Sequence, residues 1–233
     1  MKSKKMTETK GYIFDYGGTL DTGGCHWGKM FWYAYQQEGV PVTEQQFREA
    51  YVYAERTLGK LPVIRPEFTF RQTLEEKLRL QYEHLTLHSG LQTSDFGPLA
   101  AHLYSAILRH TAHSRDVLRQ LPQPKVLVSN FYGNMPTVLR EFGLAGLFLR
   151  VVESAAVGVR KPDPLIFTLG VEALGLQPEE VSVVGDSIDK DMIPARKAGC
   201  QTVWLRGEQW SDAPLETSVI DRTIDDISEL ITP

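Results

Sequence analysis

Two kinds of hydrophobic pattern alternate along the chain, and they predict different elements. Near the amino end, the apolar run Tyr12-Ile13-Phe14 ends at Asp15, and two glycines and a threonine follow at once. This is the pattern of a short buried strand that delivers a carboxylate to a sharp turn. From about residue 26 to residue 120, apolar residues instead recur at spacings of three and four, which predicts amphipathic helices. The predicted helices are 28–38, 44–58, 67–87 and 94–121.

Strand character returns at Lys125, and short apolar runs then alternate with helical patterns to the end of the chain. Such alternation implies right-handed crossovers and a parallel sheet covered on both faces. We therefore predict the α/β class: a Rossmann-like three-layer core with a parallel sheet at 10–22 and 120–233, and an inserted all-helical segment at 23–119. The predicted strands of this second stretch are 125–130, 148–152, 181–184 and 202–205, and the predicted helices are 134–142, 164–174, 190–198 and 226–231.

Length, charge and cysteine content narrow the functional class. The 233 residues suffice for one large domain, or for a core with a modest insertion. The net charge of −4 gives no electrostatic reason to expect nucleic acid or an anionic membrane as a partner. Cys25 and Cys200 lie far apart and outside any metal-type spacing, which favours a reducing compartment. No signal-peptide core and no apolar run of membrane-spanning length is evident, so we predict a cytoplasmic protein.

Polar residues follow the predicted strands where those strands end. Asp15 follows the first strand, Ser129 and Asn130 end the second, and Asp186 follows the strand at 181–184. Ligands of open parallel sheets bind at the carboxyl ends of the strands. We therefore expect these residues to meet at one edge, although they are far apart in sequence.

Four motifs in this order resemble the haloacid dehalogenase-like hydrolase superfamily. They are the Asp15 loop, Ser129 after a strand, Lys161 before Pro-Asp-Pro, and the run from Gly185 to Asp191. The helical insertion at 23–119 is similar to the cap domain found there in one large branch of the superfamily. The resemblance implies a hydrolase that acts on a small phosphorylated or otherwise anionic metabolite.

The motif residues can be given chemical roles. A carboxylate such as Asp15 can attack phosphorus and form an aspartyl-phosphate, which divides one difficult displacement into two easier ones. Ser129 can donate a hydrogen bond to a phosphoryl oxygen, and Lys161 supplies positive charge where negative charge is spread over that group. The resemblance also implies that Thr19 shapes the nucleophile loop. The predicted catalytic residues are Asp15, Ser129 and Lys161, and the predicted phosphate-binding residues are Thr19, Ser129, Asn130 and Lys161.

The same motifs predict a Mg²⁺ site. Mg²⁺ prefers hard oxygen ligands in an octahedral shell and keeps several waters. Asp15, Asp186 and the backbone carbonyl of Gly17 can supply the protein ligands, and Asp191 is a candidate direct ligand or a neighbour of one. The carbonyl ligand does not depend on a side chain at position 17.

Gly17 departs from the family pattern. Phosphatases of this family have Asp-x-Asp at the loop, and the second Asp protonates the leaving alcohol and then activates water. Such general acid–base help accelerates a reaction by about 10²–10⁴-fold, which is about 3–5 kcal/mol of barrier. Gly17 has no carboxyl group to supply it.

Four hypotheses follow from this difference. The substrate could be an acyl phosphate or activated ester, whose leaving group needs little protonation. The chain could instead resemble the phosphonate-cleaving branch, which uses a cap lysine as a Schiff base; Lys29 and Lys60 lie in the insertion, without a matching context. It could resemble the true haloacid dehalogenases, which also lack this Asp and need no metal, although Asp186 argues against that. Finally, it could be a binding-only relative, which would have no need for the retained charge cluster.

The insertion offers one further candidate. His26 lies just beyond the nucleophile loop and could replace the missing acid–base group. Gly23 and Gly24 beside it suit a hinge that opens and closes the cap. We expect the residues that choose the substrate in loops of the insertion such as 59–66.

Overall fold

Six parallel strands form a single sheet in the computed structural model, which describes residues 7–210 and 216–231. In chain order the strands are β1 (Gly11–Phe14), β2 (Lys125–Ser129), β3 (Arg150–Glu153), β4 (Val181–Gly185), β5 (Gln201–Leu205) and β6 (Arg222–Ile224). Their order across the sheet is β3-β2-β1-β4-β5-β6, and every neighbouring pair is parallel. The predicted α/β class with a parallel sheet is thus confirmed. Because β1 lies between β2 and β4, the strand order reverses at β1, where a ligand crevice is expected.

Four helices lie between β1 and β2. They are α1 (Trp27–Gln37), α2 (Glu44–Lys60), α3 (Phe70–Ser89) and α4 (Gly97–Gln120). The third begins three residues later than predicted because Thr69 caps it: its hydroxyl accepts from the backbone N–H of Gln72. The second continues to Lys60, so the predicted loop at 59–66 begins inside a helix. None of the described helices combines the length and apolar composition that a bilayer crossing requires.

The remaining helices connect the strands of the sheet. They are α5 (Met135–Glu141), α6 (Ser154–Val157), α7 (Leu165–Leu174) and α8 (Ile193–Lys197). The helix predicted at 190–198 begins as a π-helical turn at Ile188–Met192, in which the Asp191 carboxylate accepts from the backbone N–H of Ser187 at 3.1 Å. The last predicted helix is a single 3₁₀ turn, Ile227–Leu230.

Two hydrophobic clusters cover the two faces of the sheet. One contains Phe14 together with apolar residues of all four inserted helices, and the other contains Ile13 together with residues of α7 and α8. Near the carboxyl end of α4, the Ser114 hydroxyl donates to the Leu20 carbonyl at 2.8 Å. The long helix α4 therefore runs from the helical insertion onto the loop that follows β1.

Candidate active site

Asp15 lies at the carboxyl end of β1, where its backbone N–H donates to the Val184 carbonyl at 3.0 Å. The following loop folds back on itself because the backbone N–H of Leu20 donates to the Tyr16 carbonyl at 2.9 Å. Gly18 has a φ of 98°, and a Cβ atom there would come within 2.5 Å of both Asp186 carboxylate oxygens. The loop thus needs glycine at position 18 so that Asp15 and Asp186 can approach each other.

Lys161 lies at the centre of the site. Its Nζ is 2.5 Å from Asp15 Oδ1 and 2.7 Å from Asp191 Oδ1, and it is 5% exposed. Asn130 holds the backbone of this lysine: its Oδ1 accepts from the Lys161 N–H at 2.9 Å, and its Nδ2 donates to the Lys161 carbonyl at 3.0 Å. The side chain of Asn130 therefore positions Lys161, while its predicted part in phosphate binding stays a prediction.

Three buried carboxylates surround this lysine. Asp15, Asp186 and Asp191 each offer an oxygen, and these oxygens lie within 4.8 Å of one another. The Thr19 hydroxyl lies 3.3 Å from Asp15 Oδ2 and 3.1 Å from Asp186 Oδ1, and it accepts from the Asp186 backbone N–H at 3.1 Å. The structure thus brings together residues that the sequence separates by up to 176 positions, as the strand-end argument predicts.

The electrostatics of this cluster favour a divalent cation. Burial raises the pKa of Asp15 to about 6 even though Lys161 opposes the shift. Burial, and then Asp191 and Asp15, raise the pKa of Asp186 well above its usual range. Burial disfavours the ammonium of Lys161, but Asp15 and Asp191 outweigh it and raise its pKa. Three carboxylates facing one ammonium leave excess negative charge, and a donor set of hard oxygens fits Mg²⁺.

The cluster forms the floor of a cavity of about 410 Å³ between the sheet edge and the inserted helices. Gly17 and Ser129 line the same cavity, so every residue predicted for the site except Thr19 borders it or is part of its floor. Thr19 lies beneath Asp15 and Asp186 and is 1% exposed. The opposite wall is formed by residues of α1–α3, among them Trp27, Tyr51, Glu55 and Lys77.

Lys77, Glu55 and Tyr132 are residues of the cavity that sequence reasoning missed. Lys77 Nζ lies 2.8 Å from Glu55 Oε1, and the Tyr132 hydroxyl donates to Glu55 Oε2 at 2.8 Å. The ammonium also lies 5.2 Å from the ring centres of Trp27 and Tyr132. Burial opposes the charge of Lys77, but Glu55 outweighs burial and raises its pKa. The available signal was a lysine three residues after Leu74 on the apolar face of α3, where a nonpolar residue is expected.

The two lysines considered from the sequence do not line this cavity. Lys29 and Lys60 lie on α1 and α2, and neither is among the residues that border it. The lysine of the inserted helices that borders the cavity is Lys77.

A tryptophan lies beside Gly17. A Cβ atom at position 17 would lie 3.5 Å from Trp27 Nε1, an ordinary contact distance. That indole N–H donates to Asp21 Oδ2 at 3.0 Å, and the backbone N–H of Gly18 donates to Asp21 Oδ1 at 2.8 Å. Burial raises the pKa of Asp21 to about 8. The loop therefore holds a second carboxyl group, but Asp21 is fully buried below Trp27 and does not border the cavity.

His26 borders the cavity but is poorly suited to replace the missing acid–base group. Its Nδ1 accepts from the Gly28 backbone N–H at 3.0 Å, and its ring stacks on Trp210 with centres 5.3 Å apart. Burial lowers the pKa of His26 to about 4, so the ring is neutral near pH 7. A neutral imidazole whose Nδ1 already accepts a hydrogen bond has no extra proton to donate to a leaving group.

Comparison with known proteins identifies relatives along most of the chain. The family model for haloacid dehalogenase-like hydrolases matches residues 9–199. A phosphoglycolate phosphatase of Vibrio vulnificus (strain CMCP6) is 29% identical over 234 residues, which cover 96% of this chain and 95% of that protein. A phosphoserine phosphatase of Thermus thermophilus is 46% identical over 63 residues, which cover 27% of this chain and 25% of that protein. The chain thus matches about a quarter of the length of this second relative.

A solved structure has the same fold. The crystal structure of YfnB from Bacillus subtilis, a HAD-hydrolase bound to magnesium, superposes with a TM-score of 0.59 at 16% identity. The match covers 97% of this chain and 100% of that one. At this identity the likeness concerns the fold alone.

Proposed function

Because the chain belongs to the haloacid dehalogenase-like hydrolase family, we propose that it is a Mg²⁺-dependent phosphatase that acts through an aspartyl-phosphate on Asp15. The proposed substrate is a small phosphorylated metabolite. One observation carries this proposal: the buried Lys161 ammonium forms ion pairs with Asp15 and Asp191, and the carboxylate of Asp186 lies beside these two. The phosphatase names of the sequence relatives support phosphoryl transfer as the reaction.

The residues of the cavity floor have separate roles in the proposed first step, the transfer of the phosphoryl group to Asp15. An Asp15 oxygen attacks phosphorus, a new O–P bond forms, and the P–O bond to the leaving group breaks. The Lys161 ammonium has three protons; two point to Asp15 and Asp191, which leaves one for a phosphoryl oxygen. The Ser129 hydroxyl, at the buried end of β2, donates to another phosphoryl oxygen. In the second step water attacks the aspartyl-phosphate and releases phosphate, which restores Asp15.

The proposed metal ligands are Asp15, Asp186, Asp191 and the carbonyl of Gly17. Mg²⁺ bound there supplies positive charge that offsets the negative charge of the phosphoryl oxygens. Hydrogen bonds fix the positions of these carboxylates. The Thr19 hydroxyl donates to Asp15 and Asp186, and the Ser187 backbone N–H donates to Asp191.

Gly17 narrows the proposed substrates to those whose leaving group departs with little protonation. Acyl phosphates and activated phosphate esters have this property. The phosphonate-cleaving alternative needs a neutral lysine amine, and the cap lysine of the cavity, Lys77, is instead an ammonium paired with Glu55. The geometry therefore favours a phosphate substrate over a phosphonate.

Hydrolysis of 4-nitrophenyl phosphate with and without Mg²⁺ tests the proposal. We expect turnover that needs the metal and falls to background in Asp15→Asn, while Asp116→Asn, at a solvent-exposed position on α4, keeps full activity. Borohydride reduction after an acid quench should mark Asp15 as the phosphorylated residue. Retained activity in Asp15→Asn would refute the nucleophile, and metal-independent halide release from a 2-haloacid would instead favour dehalogenase chemistry.

A further inference from the structure

The catalytic cavity continues into a second compartment of about 840 Å³ between the inserted helices and the core. The two spaces share part of their walls, including Tyr51, Tyr132 and Trp210. The second compartment, which we call the vestibule, is bounded further out by the end of α2 and by the segment that follows α6. A molecule with its phosphoryl group at Asp15 can therefore extend into the vestibule.

The charged residues of the vestibule are mostly cations. Arg56, Lys60, Arg160 and Lys190 line it, against the single carboxylate of Glu55. Glu55 is already paired with a cation of the catalytic cavity. Among residues 7–210 and 216–231, none of the four vestibule cations forms an ion pair with a carboxylate. This local excess of positive charge stands out in a chain whose net charge is −4.

The cations come from both sides of the vestibule. Arg56 and Lys60 are one turn apart on α2, whereas Arg160 belongs to the core and directly precedes Lys161. An Arg160 guanidinium nitrogen nevertheless lies 4.0 Å from the place of a Cβ atom on Gly59. Arg160 thus reaches across to the end of α2, so these three of the four cations, from two parts of the chain, surround one space.

We propose that the vestibule binds a second anionic group, a carboxylate or a phosphate, at the far end of the substrate whose phosphoryl group lies at Asp15. This inference rests on the proposed phosphatase function. Guanidinium groups bind carboxylate and phosphate through paired hydrogen bonds, and cations without a carboxylate partner have no internal bond to give up. The preferred substrates therefore carry two anionic ends.

Matched aryl phosphates test this inference. Each pair has the same phenol leaving group and the same alkyl tether, which ends in a carboxylate or phosphonate in one compound and in a neutral carboxamide in the other. We expect the charged compound to have a KM roughly tenfold lower at the best tether length, with kcat nearly unchanged, because the exposed charges of Arg56, Lys60 and Arg160 each contribute about two- to fivefold. The relative effect of carboxylate and phosphonate identifies the preferred anion.

Charge-neutral variants assign the effect to the vestibule. Arg56→Gln, Lys60→Gln and Arg160→Gln should each reduce the advantage of the charged compound about two- to fivefold and leave the KM of the carboxamide unchanged. Lys197→Gln, an exposed lysine at the end of α8 outside the vestibule, is the matched control. Equal KM values for both members of every pair would overturn the inference. So would variants that weaken both compounds equally, since that result indicates a structural role.

Calorimetric binding separates this inference from the proposed function. If no aryl phosphate is hydrolysed, the phosphatase proposal fails. The affinities of the charged and neutral compounds then still test whether the vestibule binds a second anionic group. Tighter binding of the charged compound that weakens in the three variants supports it, and equal affinity refutes it.

Discussion

The substitution Gly17→Asp would place a carboxyl group where phosphatases of this family have their acid–base residue. The backbone at Gly17 is outside the left-handed region, and the nearest atom to an added Cβ is Trp27 Nε1 at 3.5 Å. The added Cβ alone, as in Gly17→Ala, should therefore alter the free energy of unfolding by no more than about 1 kcal/mol. Gly18→Ala is the opposite case, because its Cβ would come within 2.5 Å of the Asp186 oxygens at a φ of 98°.

The expected gain depends on the leaving group. General acid catalysis contributes about 10²–10⁴-fold, or about 3–5 kcal/mol, when the leaving group is an alkoxide that must be protonated. It contributes little for 4-nitrophenolate, which departs unprotonated. The indole N–H of Trp27 is placed to orient the new carboxyl group, although Asp21 competes for it. We therefore expect Gly17→Asp to raise kcat/KM for an alkyl phosphate such as 2-phosphoglycolate by about a hundredfold, the lower end of that range.

The assay is the ratio of kcat/KM for 2-phosphoglycolate to that for 4-nitrophenyl phosphate. Gly17→Asn is the matched control, because it has the same shape and no transferable carboxyl proton, and Gly17→Ala tests the space alone. The ratio should rise about a hundredfold in the Asp variant and stay unchanged in the other two. An unchanged ratio in Gly17→Asp, or an equal rise in Gly17→Asn, would refute the argument that position 17 lacks an acid–base group.

Three further substitutions test the charges and hydrogen bonds around the site. Lys161→Ala leaves two buried carboxylates without their partner, so urea denaturation without metal should show a loss of about 3–5 kcal/mol. Tyr132→Phe removes the hydrogen bond from the core to Glu55 on α2, and the free energy of unfolding should fall by about 1.5–3 kcal/mol. Burial raises the pKa of Asp21 to about 8, so folding retains a proton that the unfolded chain releases near pH 4. The stability that this proton contributes is complete below about pH 4 and is lost as the pH rises to about 8, by up to about 1.4 kcal/mol per pH unit. Asp21→Asn should therefore flatten the decline of the melting temperature over this pH range.

The floor of the site could be predicted because it is built from strand ends. Parallel strands bring their carboxyl ends to one edge, so the order of Asp15, Ser129 and Asp186 along the chain was enough to place them together. The strand β6 escaped prediction because only Ile224 of its three residues is buried, and so short a segment has no visible period.

The wall of the cavity was not predictable in the same way. Lys77 and Glu55 belong to different helices, and which helix faces meet depends on how α2 and α3 pack over the sheet. A helical period shows that one face is apolar, but it does not show that a lysine on that face borders a cavity and finds a carboxylate 2.8 Å away. Tyr132 adds a contact from the loop after β2, which no local pattern indicates.

The paired charges of the cavity wall determine where a second anionic group of a substrate gains most. Lys77 and Glu55 lie 2.8 Å apart, so their fields largely cancel and the wall opposite Asp15 attracts an anion weakly. Among the residues that the structure describes, the cations without a carboxylate partner lie further out, at residues such as Arg56 and Lys60. A substrate held by its phosphoryl group at Asp15 therefore gains more by directing a second anion into the vestibule than toward Lys77. The vestibule then selects a substrate by its second anionic group. This selection does not depend on the acid–base chemistry at Asp15, which the absence of a carboxyl group at Gly17 limits.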